Sequence, residues 1–144
     1  MIEHFWEGYD GILKEAKRVI KPGGYLFLTF PYMSPLRKFK AKLGLYWLFK
    51  RNKMDLDNFY QFILDTEKVK LAIEKCGFEL KLKYPFDATK GLKDEISLLT
   101  PILQKVYNSS STIAKGIKFL NSVLFSKIAA HSILLVFQKN EKSL

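Results

Sequence analysis

Few residues in this chain have the types and spacing to do chemistry. Residues 20–31, IKPGGYLFLTFP, set two adjacent glycines before an apolar run, the composition of a loop that holds a phosphate or a nucleotide. Such a loop needs the order strand, glycines, helix, so that the amides of a helix N-terminus point at the negative charge. Here the order is reversed. Tyr9, Ile12, Leu13, Ala16, Val19 and Ile20 recur at helical spacing before the glycines, and Tyr25 to Phe30 is a short β-prone run after them. The pair is therefore expected to stop a helix and open a strand: Lys17, Arg18 and Lys21 suit the negative end of that helix, Pro22 cannot continue it, and one glycine supplies a positive φ. Glu3-His4, followed by Phe5 and Trp6, is the most pointed polar pair, made of the group types that move protons. His131 precedes an apolar run with no evident partner, which favours a structural or solvent-facing role. The only cysteine, Cys76, falls on the apolar side of a helical pattern and reads as a small buried hydrophobe, so neither a disulfide framework nor a zinc cluster is expected.

The elements that must position these residues follow from periodicity. A helix from about Tyr9 to Ile20 and a strand from Tyr25 to Phe30 come first, and Pro31 and Pro35 then break the pattern. From Leu36 to Lys50, the apolar Leu36, Phe39, Leu43, Tyr46 and Trp47 share one helical face, and Arg37, Lys38, Lys40 and Lys42 lie on the other: a basic amphipathic helix interrupted by Gly44. Residues 65–77, DTEKVKLAIEKCG, form the clearest helix, with Asp65 or Thr66 as cap, Val69, Ala72, Ile73 and Cys76 on one face and Gly77 at the end. Phe78 to Tyr84 alternates apolar and polar, as a strand with one face near water does. Leu92 to Leu99 reads as a helix, and Thr100-Pro101 as the start of another that carries Ile102, Leu103 and Val106, with threonine as its cap. After the polar connection 108–112, Ile113, Ile117, Leu120, Leu124 and Ile128 recur at helical spacing. Ser132 to Gln138 closes the chain as a continuous apolar strand. Helix, strand, basic helix, helix, strand, two or three helices and strand make an α/β pattern with three strands.

With 144 residues, 48% of them apolar, the chain is expected to bury one core and to form a single domain over 1–144 with a basic helical insert at about 33–54. Its longest apolar stretches fall far short of the ~20 residues that a membrane helix needs. A soluble, cytoplasmic protein is expected. The net charge of +10 favours an acidic partner, whether nucleic acid, anionic lipid or an anionic small substrate, or else belongs to a lysine-rich solvated surface. With 21 Lys against 3 Arg, the balance weighs against nucleic acid, because bidentate base and phosphate recognition prefers arginine.

Four segments together resemble the second half of a class I S-adenosylmethionine-dependent methyltransferase. IEHFWEGYDGILKEAKRVIKPGGYLFLTFP is similar to the region after the fourth strand and through the fifth, FYQFILDTEKVKLAIEKCGFEL to the helix and strand that follow, and HSILLVFQK to the last strand, with a helical insert between. They span nearly the whole chain. The motif E-x-x-R-V-I-K-P-G-G-x-L at Glu15 to Leu26, combined with E-K-C-G-F at Glu74 to Phe78, carries the likeness. The resemblance implies the C-terminal half of a Rossmann-like fold: a mixed three-strand sheet, the last strand central and antiparallel, with five or six helices. It also implies a cofactor, S-adenosylmethionine, held in that family by a glycine-rich loop after the first strand and an acidic residue ending the second. This sequence has no counterpart of either, so no cofactor-binding residue is assigned and the chain alone is expected not to hold the donor or catalyse transfer.

By the same resemblance, Glu3 and His4 sit at the rim of the pocket of an intact enzyme, where His4 would take a proton from a substrate hydroxyl or, with Glu3, help to ligate a metal. Phe30 and Tyr32 end a strand at the edge where α/β sheets place ligands, so Tyr32 is either a substrate-side residue or an aromatic packed beneath the insert. The helix from Leu36 resembles the insert that covers such pockets, with Phe39, Tyr46 and Trp47 towards the pocket or the core and the lysines towards solvent. The expected function is the C-terminal portion of a methyltransferase for a small-molecule or lipid-like acceptor. The alternative is a non-catalytic partner or binding module that completes another chain, or that touches anionic lipid or RNA through the basic helix. The expected partners are accordingly a second copy of the chain or a separate N-terminal half, with peripheral membrane contact possible and nucleic acid disfavoured.

Overall fold

The computed structural model describes residues 8–45 and 63–141. The described elements are α1 (Asp10–Val19), β1 (Tyr25–Pro31), α2 (Pro35–Lys42), α3 (Thr66–Lys75), β2 (Phe78–Phe86), α4 (Ala88–Glu95), α5 (Thr100–Asn108), α6 (Thr112–Ala129) and β3 (Ser132–Lys139), in the order the sequence pattern predicts. The chain divides into two compact units, one of Met1–Tyr32, Gln61–Tyr84 and Ile133–Leu144, the other of Met33–Tyr60 and Pro85–Ser132.

The first unit holds the sheet, with strand order β1-β3-β2. Its directions follow from the hydrogen bonds at one end. Gly23 N donates to Lys139 O, Lys139 N to Gly24 O, and Asn140 N to Gly77 O, so the start of β1 and the start of β2 both meet the end of β3. The last strand is thus central and antiparallel to both neighbours, as the resemblance implies. Its composition explains the place: Ile133, Leu135, Val136 and Phe137 are all buried, which a strand covered on both faces requires. β2 keeps Phe78 buried but leaves Leu82 and Tyr84 about half exposed, as suits an edge. α3 begins at Asp65, whose carboxylate accepts from Glu67 N and Lys68 N (2.9 and 3.3 Å), and it buries Val69 and Ile73. Gly77 ends it with a φ of +87°. Cys76 is partly buried.

The glycine pair has its conformation set by this sheet. Gly23 has φ +76°, and Gly23 and Gly24 together oppose the single residue Lys139: a bulge whose first residue is a left-handed glycine. Lys17 and Arg18 fall in the last turn of α1 as expected, and a further cation joins them from another element. Lys139 reaches over from β3 and donates to Lys17 O and Ile20 O (2.6 and 2.7 Å), whereas Arg18 pairs with Glu15 on its own helix.

The second unit is helical, with a core of Leu92, Leu103 and Ala129 against which Leu36, Ile96 and Leu99 pack. Several expectations are corrected here. The strand ends at Pro31 as expected, and Pro35 opens α2 one residue before the expected Leu36: Ser34 caps the helix, and proline at the first position forgoes only an amide that would be unpaired anyway. α2 ends at Lys42, two residues before Gly44 at φ +71°; residues 46–50 of the expected helix lie outside the described residues. The helix expected at Leu92 to Leu99 begins four residues earlier, at Ala88, and gives way to a 3₁₀ turn at Ser97–Leu99. Its start is fixed by Asp87, whose carboxylate accepts from Lys90 N. Thr100 is the first residue of α5, not its cap, and its hydroxyl donates back to Lys93 O at 2.7 Å. Ser111 caps α6.

Candidate functional site

At the end of β1, Phe30 and Tyr32 are both buried. Leu64 lies alongside, bridged in parallel to Tyr32 and donating its amide to Pro31 O at 3.1 Å. Of the other residues singled out from the sequence, Glu3, His4, Tyr46 and Trp47 lie outside the described residues. Phe39, in the second unit, is 61% exposed and therefore does not pack into a core.

β1 pairs with β3 along one edge; on the other, Leu64 meets its end at Pro31. Backbone N–H and C=O groups of alternate residues in a strand point to opposite edges. Since Gly24 O meets β3, the groups of Tyr25, Phe27 and Thr29 point to the other side, where no strand pairs with them among the described residues. Tyr25, Phe27 and Thr29 are exposed, Phe27 to 66%. Between this strand and α1 lies a cleft of about 450 Å³, lined by Ile12, Leu13, Ala16, Leu26, Phe27 and Leu28 among others, and almost wholly apolar. A strand edge that no described strand pairs with at Tyr25, Phe27 and Thr29, beside an apolar cleft, is what an added strand and helix would cover.

The amides of the glycine pair offer nothing to an anion. Gly23 N is bound to Lys139 O, and Gly24 N to Lys21 O at 2.9 Å. No element order of strand, glycine-rich loop and helix occurs among the described residues, so these residues do not fit the S-adenosylmethionine site that the resemblance calls for. Nor does any group of three or more His, Cys, Asp and Glu among them suit a metal ion.

The second unit contains a buried ionic network that the sequence did not announce. Arg37, assigned by helical spacing to the solvent side, is only 3% exposed. Its Nε donates to Glu95 Oε1 at 2.7 Å, Nη1 to His131 O at 3.1 Å, and Nη2 approaches His131 Nδ1 at 3.0 Å. Lys40 binds the other carboxylate oxygen of Glu95 at 2.9 Å and the Glu95 carbonyl at 2.7 Å. The buried face of α2 is therefore turned towards Arg37 and Lys40, because ion pairing makes their burial tolerable and leaves Phe39 outside. His131 is accordingly neither partnerless nor solvent-facing. Nδ1 also lies 3.3 Å from Asp94 Oδ2; a guanidinium only donates, so where Nδ1 accepts from Arg37 the neutral ring carries its proton on Nε2. Burial, with Lys90 and Arg37 nearby, outweighs the carboxylates Asp94 and Asp87 and lowers its pKa to about 4. Held neutral and tied to arginine, this histidine fixes the helices of its unit rather than moving protons for a substrate. Sequence spacing gave no sign of the network, since Arg37 and Glu95 are 58 residues apart.

No family model and no curated protein matches the chain. Among solved structures it is similar to a protein from Galdieria sulphuraria provisionally described as a sarcosine dimethylglycine methyltransferase, with a TM-score of 0.45, 13% identity, and coverage of 99% of this chain and 51% of that one. The chain spans about half the length of that structure. So low an identity and TM-score say nothing of residues, ligands or function.

Proposed function

We propose that this chain is the C-terminal, acceptor-side portion of an S-adenosylmethionine-dependent methyltransferase and that the methyl donor is held by a segment outside the residues described. The observation that carries the proposal is the sheet: β3, the last strand, lies between β1 and β2 and runs against both, the arrangement implied by the segments around Glu15–Leu26 and Glu74–Phe78. The donor, when bound, supplies an electrophilic methyl group on a sulfonium. Transfer then depends chiefly on holding the acceptor in line, so a chain without the donor site lacks the main source of rate. Its own contribution is a scaffold: the C-terminal end of β1, with Phe30 and Tyr32 packed, and the open edge of Tyr25, Phe27 and Thr29 onto which the donor-binding segment docks.

Hydrogen exchange at that edge tests the docking. The amides of Tyr25, Phe27 and Thr29 exchange fast in the chain alone and slow when a donor-binding segment is supplied, joined to the chain or separate. Unchanged exchange on adding the segment contradicts the proposal. Slow exchange in the chain alone, together with a dimer in sedimentation, assigns the edge to a second copy and favours the non-catalytic alternative.

A further inference from the structure

α6 carries its longest apolar row on the outside. Ala114 and Ala129 do its packing, while Ile113, Phe119, Leu120, Val123, Leu124 and Ile128 are each more than half exposed, Ile113 to 78%. At 3.6 residues per turn these six and Lys127 lie on one side of the helix, opposite the two alanines. Single exposed apolar residues are ordinary; a continuous row along an 18-residue helix is a docking surface.

We propose that this face of α6 lies in the surface of an anionic lipid bilayer, with the helix parallel to the membrane, its apolar side chains at the boundary of headgroups and acyl chains and the exposed Lys115 and Lys127 reaching the phosphates, while Lys118 is held by Tyr107 O and Ser109 O. Charge selects this occupant. Residues 96–132 contain four lysines, Lys105, Lys115, Lys118 and Lys127, and not one Asp or Glu. Lys105, Lys115 and Lys127 are exposed. The acidic residues just upstream are already engaged: Asp87 caps α4, Asp94 lies 3.2 Å from Lys93, and Glu95 is held by Arg37 and Lys40. The second unit as a whole has thirteen lysines and arginines against five carboxylates. A symmetric second copy would bury the Lys127 ammonium within an apolar interface, whereas lipid phosphates and carboxylates neutralise it, and the long lysine stem lets the ammonium reach them from an apolar row. No helix among the described residues is long and apolar enough to cross a membrane, so contact in the plane of the surface is the geometry left to α6.

The test is co-sedimentation of the whole chain with vesicles of phosphatidylcholine alone and of phosphatidylcholine mixed with phosphatidylserine. The chain binds the mixed vesicles and not the neutral ones, and added salt releases it. Leu120→Asp and Leu124→Asp each weaken binding at least roughly tenfold, while circular dichroism stays unchanged because both side chains are already exposed. Lys115→Glu with Lys127→Glu weakens it by at least the roughly fivefold per lysine expected near an anionic surface. Lys14→Glu on α1 leaves it intact. Equal binding to neutral vesicles, no binding to either kind, or a dimer in sedimentation that the Leu120 and Leu124 substitutions dissolve would each overturn the proposal, the last in favour of a second copy.

Discussion

Replacing Arg37 by methionine removes the cation around which the second unit is arranged. Arg37 and Glu95 are 3% and 7% exposed at the side chain, and the guanidinium also serves the His131 carbonyl and ring. Removing one partner of a buried ion pair costs about 3–5 kcal/mol, because the other charge stays buried without compensation. Here Lys40 still reaches Glu95 Oε2 at 2.9 Å, which places the loss at the low end, about 3 kcal/mol. For a chain of this length that corresponds to a drop in Tm of about 10 °C. Urea titration followed by circular dichroism gives the free energy, and a scan gives the Tm. The double change Arg37→Met with Glu95→Leu should recover at least half of the loss, since it leaves no carboxylate to strand. A single-mutant loss below about 1 kcal/mol, the range of exposed pairs, would refute the claim that this is a buried, interdependent network.

Three further predictions concern named positions. The folded-state pKa of His131, about 4, lies below its ordinary value of 6.5, so stability is complete above about pH 6.5 and is lost as pH falls towards 4, by at most about 3 kcal/mol; His131→Gln, whose amide oxygen can still accept from Arg37, should flatten that part of the pH–stability curve. Gly91→Ala should cost about 3 kcal/mol in a denaturation series, at the upper end of overpacking, because a methyl group there would overlap the Ala129 carbonyl. Gly23→Ala should cost about 1 kcal/mol through its φ of +76° without changing the binding of any ligand, and a phosphate found on the Gly23 and Gly24 amides would show the turn to be more than structural.

What was legible in the sequence is what neighbouring residues decide. The run Ile133-Leu134-Leu135-Val136-Phe137 announced a strand covered on both faces, the alternation from Phe78 announced an edge, and Asp65 and Gly77 bracketed a helix, because each is a statement about a few consecutive side chains. What failed was decided across the chain. Arg37 is buried because Glu95 meets it, Lys139 of another element adds its ammonium to the end of α1, which no local spacing announced, and Gly91 sits inside α4 because the Ala129 backbone comes too close for any side chain. α6 shows the same limit: the spacing of Ile113, Ile117, Leu120, Leu124 and Ile128 gave the helix correctly, yet the packed face is the one with the alanines. Of the site, the strand end at Phe30 and Tyr32 was readable from β1, and the central place of the last strand, implied by the resemblance, already put Tyr25 to Phe30 at one side of the sheet.

The central claim, that these residues form a methyltransferase scaffold whose donor site lies in another segment, is tested most directly by calorimetric titration with S-adenosylmethionine. The chain alone should give no saturable heat, and the same chain supplied with a segment bearing a strand, a glycine-rich loop and a helix should bind one equivalent, with Tyr25, Phe27 and Thr29 protected in the complex. Saturable binding by the chain alone would contradict the account, as would a segment that protects those amides yet leaves the complex unable to bind the donor.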